Sequence, residues 1–228
     1  MHSRRVVLLC ILAAILVFAW LIRRNFLSPR EPPAPPLLTI DKQPVAFASH
    51  TFDLNSPPAD MPALAYGEEA LCDSNFSSDA EVGGQSQKID ATHATVTITS
   101  IKIILRLSIN IWVPAGATQH VVEHEDGHRQ ISQFYYQTAD KLAQRIAAAY
   151  MGQQFDVSGA DLSAQIDKVL RQAATDITSQ YDNELPSGAA QQYFDLITDH
   201  GRNDVAVKRA VAAAVANTKV ASLTSPAN

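Results

Sequence analysis

Between residues 101 and 113 an apolar side chain falls on every second position: Ile101, Ile103, Leu105, Leu107, Ile109, Ile111 and Val113, with Lys102, Arg106, Ser108 and Asn110 between them. Successive side chains of a strand point to opposite faces, so this segment is a long strand buried on one face and wetted on the other. Ile104 and Trp112 fall on the polar side. Upstream, Val96 and Ile98 alternate on the opposite parity, which calls for a bulge or turn near Thr99 and Ser100. Residues 44–54 form a weaker strand candidate, and residues 72–87, rich in Ser, Asp and Gly, read as loop.

After Pro114-Ala115-Gly116 the spacing changes to threes and fours. Val121, Val122, His128, Ile131, Tyr135, Leu142 and Ile146 predict one helix that continues to about Tyr150. A second helix follows Ser158-Gly159, a third runs from near Ser187-Gly188 to Gly201, and a last one covers about residues 205–217. Strands first and helices afterwards predict an α+β fold: an N-terminal antiparallel β-sheet followed by a helical bundle.

Ahead of this domain, residues 6–22 are an unbroken run of 17 apolar residues bracketed by arginine pairs. As a helix it would reach roughly 25 Å, the short end of a membrane span. No small-residue cleavage site follows it, so the expectation is one transmembrane helix kept as an anchor over residues 1–27. Residues 28–36, with five prolines, read as a semi-rigid stalk, residues 37–219 as the folded domain and residues 220–228 as a polar tail. The expected location is the bacterial inner membrane, single-pass, with the domain in the periplasm.

Arg4, Arg5, Arg23, Arg24 and Arg30 against Glu31 give the first 31 residues a balance of +4, leaving −9 of the formal −5 to the rest. A domain that acidic lacks the basic face that nucleic acid requires. The two cysteines, Cys10 and Cys72, support neither a disulfide framework nor a cysteine zinc site, so a metal would have to use His, Asp or Glu.

Such residues occur in the first long helix, as His124-Glu125-Asp126-Gly127-His128, a full HExxH. Residues four apart lie side by side on a helix one turn apart, so the two imidazoles can share one Zn²⁺. Glu125 lies on their flank, placed to act as general base toward a water at the metal. Gly127 in mid-helix costs ~1 kcal/mol against Ala, which makes sense where backbone must approach something closely. His120 extends the row of imidazoles but reads as a helix-start residue. The third ligand lies elsewhere. An extended HExxHxxGxxH would need Gly and His where the chain has Ile131 and Phe134. Downstream, His200 ranks first as third ligand, Glu184 second, and Asp195 and Asp199 after them, the aspartates also being candidates to hold a ligand in place.

The stretch His124-Glu125-Asp126-Gly127-His128 with Ile131, together with Asp195, Thr198, His200 and Gly201, resembles the bacterial domain-of-unknown-function family nine-twenty-two, predicted secreted zinc-dependent proteases. The pattern is similar to HExGHxxI early and YDxxTxHG late, with Phe194 where the family has tyrosine. The resemblance implies a zinc metallopeptidase, with the helical bundle that carries HExxH zincin-like. With no hydroxyl at position 194, Tyr193 and Tyr181 become the candidates for oxyanion stabilisation. The expected activity is hydrolysis of a peptide or protein substrate, paired in extended form with an exposed strand, residues 101–113. Two alternatives keep the motif: a zinc amidase acting on cell-wall peptide, and a tethered binding module with structural zinc. A closed structural site has no need of a base such as Glu125 beside its metal.

Overall fold

A computed structural model of the protein describes residues 37–64 and 67–224, with side chains described through residue 218. Five strands and five helices follow in the order β1 (Leu37–Lys42), β2 (Ala46–Phe52), β3 (Leu71–Lys88), β4 (His93–Pro114), α1 (Gln119–Gln137), α2 (Ala139–Tyr150), β5 (Gln154–Ser158), α3 (Leu162–Glu184), α4 (Ser187–Thr198) and α5 (Val207–Thr224).

The alternating segment lies within β4, the strand every other strand pairs with. Antiparallel β3 runs along one edge of β4 from Ala94 to Trp112. The opposite edge is covered in succession by β5 against residues 93–97, β1 against 100–105 and β2 against 108–114. Since β1 and β2 run parallel to β4, the sheet is mixed, which corrects the expected antiparallel sheet. Alternation specifies which face a side chain takes and carries no information on the direction of the neighbouring strand. β5, inserted between α2 and α3, also breaks the expected order of strands before helices.

The anticipated irregularity lies at Thr99. Gly83 pairs with Ser100 and Gly84 with Ile98, so Thr99 is the extra residue of a bulge that lets both parities of apolar residues face one core. A Cβ on Gly84 would stand 2.8 Å from the Thr97 carbonyl oxygen, so the strands approach too closely there for a side chain. Residues 72–87, expected as loop, belong to β3. Their polar side chains mark a strand whose pairing comes from β4 rather than from its own β propensity.

Helices cover the apolar face of the sheet. Ile101, Ile103, Leu105, Leu107 and Ile109 pack with Tyr136 of α1, Ala143 and Ile146 of α2, and Ala173, Ile177 and Tyr181 of α3. A second cluster, Ile131, Tyr135, Ala190, Phe194, Ala210 and Ala214, binds α1 to α4 and α5. The predicted helix to Tyr150 is two helices broken at Thr138, whose ψ of 6° closes α1. The ammonium of Lys42 donates to the carbonyls of Tyr136 and Gln137 and to Asp140, satisfying the end of α1.

Residues 6–22, on which the expected anchor rests, lie outside the described residues. Among the described residues no helix is long and apolar enough to cross a membrane, so the expected single-pass placement in the inner membrane, with its transmembrane helix, is not supported and is set aside.

Leu105, fully buried at the centre of the larger core, tests this architecture. Leu105→Ala removes packed methyl groups beneath α2 and α3 and is expected to lower stability by about 2–5 kcal/mol in chemical denaturation, with the far-ultraviolet spectrum retained.

Candidate metal centre

α1 starts at Thr118, whose side chain accepts a hydrogen bond from the Val121 N–H, and carries its apolar residues toward both cores. That orientation buries the HExxH turn: His124 and Glu125 are each 6% exposed. α4 crosses at this turn. The Phe194 ring lies against the backbone of Gly127, where a Cβ would sit 2.4 Å from the ring's Cζ. The close approach expected at Gly127 is therefore an aromatic ring seated on the helix. The same ring stacks on His124, with centroids 5.0 Å apart and planes at 21°, and meets His128 edge-on at 4.9 Å.

With Phe194 fixed, the next residue of α4 points at the imidazoles. The Asp195 Oδ1 lies 2.9 Å from His128 Nε2 and 3.4 Å from His124 Nε2, and the two Nε2 atoms are 3.2 Å apart. His124, His128 and Asp195 form the one group among the described residues whose His, Cys, Asp or Glu ligand atoms converge closely enough to hold a metal ion. His200 ranked first from sequence; its Nδ1 is 3.9 Å from the same Asp195 oxygen, its side chain is half exposed, and it lines the same cavity.

The other candidates lie apart from the cavity. Glu184 is ion-paired with Arg145 and accepts from Gln180 on the outside of α3. Asp199 is paired at 2.9 Å with Arg202. Tyr181 is buried in the larger core, and Tyr193 packs at the edge of the smaller one. None of Glu184, Asp199, Tyr181 and Tyr193 lines the cavity, so the structure does not bring the tyrosines expected for an oxyanion role, or Glu184 expected as a ligand, to the motif. His120 lies in the first turn of α1, outside the cavity as well.

The cavity itself holds about 500 Å³ and has one wall that the sequence did not announce: residues 67–74, leading into β3. The Cys72 N–H donates to the Glu125 carboxylate, so this part of β3 turns its outer edge toward the motif helix. Burial pushes the Cys72 thiol up to about 12, leaving it protonated and unreactive. Gln191, one turn before Asp195 on α4, also faces the site, with its Oε1 2.6 Å from His128 Nδ1. Spacing by four held the signal for it, as it did for Ser132 after His128.

Charge at the site is unevenly matched. Burial pushes Glu125 up to about 7, reinforced by the negative charges of Glu68 and Asp195 and opposed by His128 and the Cys72 N–H. Burial would also raise Asp195, but hydrogen bonds and charge from His124 and His128 outweigh it and hold this carboxyl well below the usual range. Burial would lower His128, yet Asp195, Glu125 and Gln191 together raise it. The pocket thus favours positive charge at the point where the three ligand atoms meet.

No family model matches the chain, and neither a curated protein nor a solved structure matches it.

Two expectations follow. Gly127→Ala should gain helix propensity of ~1 kcal/mol but force the Phe194 ring off its seat, for a net loss of about 1–3 kcal/mol in denaturation experiments. In protein held with chelator, Glu125 binds its proton more tightly folded than unfolded, 4.5 being its ordinary value. Its contribution to stability is therefore complete below about 4.5 and is lost as pH rises through about 7. Glu125→Gln should remove that loss, so the difference between variant and wild type grows from pH 4.5 to 8 by up to about 3 kcal/mol.

Proposed function

We propose that the domain is a zinc-dependent metallopeptidase, with His124, His128 and Asp195 as ligands and Glu125 as general base. The observation that carries this reading is the triangle of ligand atoms, with edges of 3.2, 2.9 and 3.4 Å. Ligand atoms at about 2.0–2.1 Å from one zinc would stand about 3.3–3.4 Å from one another, close to the spacing of these three atoms, so His124, His128 and Asp195 are the residues that would hold it. Two imidazoles and a carboxylate suit zinc as a borderline acid.

A bound zinc lowers the pKa of water to about 7 and polarises a carbonyl group. The residues of the chain do the rest. Glu125, buried and with its pKa near 7, is poised to take a proton from water and to pass it to the leaving amine. Phe194 packs against both imidazoles and keeps them in register. The strand first expected to receive substrate, β4, has both edges paired, so strand addition there is ruled out. Among the described residues no strand pairs with the outer edge of β3, and its first residues line the cavity beside Glu125. An extended peptide added along that edge would bring its backbone past the base. A peptide substrate fits this geometry better than a purely structural zinc would, because a closed site has no use for a buried carboxylate beside the ligands.

Glu125→Gln should keep stoichiometric zinc and lower cleavage of a peptide library by about 10²–10⁴-fold. Asp195→Ala should lose zinc, whereas Glu184→Ala and His200→Ala should retain it. Loss of zinc from His200→Ala with retention in Asp195→Ala would move the third ligand to His200, and a wild-type domain that binds no zinc would end the metallopeptidase reading.

A further inference from the structure

A metal-binding imidazole must present a lone pair on one ring nitrogen, and the hydrogen bond made by the other nitrogen decides which. The two histidines of the motif differ in this respect. His124 Nδ1 is buried without a hydrogen-bond partner, closed over by the backbone of Gly201, where a Cβ would stand 3.2 Å from it. His128 Nδ1 instead meets Gln191.

Resting on the metal-site reading above, we propose that Gln191 is a positioning residue that holds the proton of His128 on Nδ1 and so aims the Nε2 lone pair at the metal position. The orientation of the amide follows from its neighbours. Gln191 Nε2 lies 3.0 Å from the backbone carbonyl of His128, which can only accept, so the nitrogen must be there and donate. The same nitrogen donates at 2.9 Å to Ser132 Oγ, whose own proton goes to Ser74 Oγ at 2.9 Å. With Nε2 committed, Oε1 is left facing His128 Nδ1 at 2.6 Å, and an amide oxygen there requires an N–H. The chain of contacts ties α4, α1 and β3 together through one amide, so the ring of His128 is locked by three elements.

The test uses the metal-free protein at a pH where titration of the imidazole ¹⁵N shifts shows His128 to be neutral, and cobalt or zinc alone as probe. Imidazole ¹⁵N shifts of wild type should report the Nδ1–H form for His128. Gln191→Leu, similar in size but unable to accept, should shift His128 toward the other tautomer and weaken cobalt or zinc binding about 10–100-fold. Gln191→Glu keeps an acceptor opposite Nδ1 and should recover most of that loss. An unchanged tautomer in Gln191→Leu overturns the proposal, whether or not affinity falls, because the residue would then act only through packing. Should the wild type bind no metal, the function proposed above fails, and the tautomer measurement still decides the role of Gln191.

Discussion

The contact between the Phe194 ring and the bare backbone of Gly127 sets the distance between two helices, and the site exists because of that distance. α1 supplies both imidazoles and Glu125, and the third converging group, Asp195, comes from α4 crossing close by. Phe194 is fully buried and touches both imidazole rings, so packing of the smaller core and alignment of the ligands are one interaction. One residue further along α4, Asp195 is delivered to the Nε2 atoms, and one turn earlier Gln191 is delivered to Nδ1. A side chain at position 127 would move all three relations together.

The sheet plays the complementary part. β4 is paired along both edges, so it can serve only as the rigid floor against which α1 and α2 are laid. β3 has one edge committed to β4, and its beginning lines the cavity beside Glu125. The bulge at Thr99 and the glycines opposite it allow β3 to stay paired with β4 on both sides of the irregularity. The strand with the weakest apolar pattern is thereby the one that borders the cavity.

What could be read from the chain beforehand follows from which interactions are local. The alternation in residues 101–113, the helix through HExxH and the special status of Gly127 depend on neighbours a few positions away, and each has its counterpart in the structure. The direction of β1 and β2, and the strand character of residues 72–87, depend on pairing with β4, which no local pattern encodes. At the site, His124, Glu125 and His128 were legible because they share one helix turn. Asp195 was ranked below His200 on residue type alone; helix α4 carries Asp195 inward, while His200 follows two residues after the helix ends. Gln191 has no chemistry that draws attention in a sequence, and its role arises only from an amide held between a carbonyl, a hydroxyl and an imidazole.

Where the fold departs from local preference, the departures gather in one place. Asp199 and His200 are the only non-glycine residues with positive φ among the described residues, at 48° and 53°, and Gly201 continues the turn at 75°. That turn presses Gly201 against His124, whose Nδ1 is left without a partner, and sets His200 at the rim of the cavity. Beside it sit a glycine in mid-helix and a glutamate buried with its pKa pushed up to about 7. Each such feature costs on the order of 1–3 kcal/mol, and a chain selected for stability alone would have replaced any of them with a commoner residue. Their concentration within one helix turn and one loop, around the three converging ligand atoms, ties the cost to a shared purpose. Left-handed backbone at Asp199 and His200 ends α4 abruptly enough for Gly201 to reach His124, and Gly127 admits the ring that aligns the imidazoles, so each unfavourable element makes room for a group where His124, His128 and Asp195 converge.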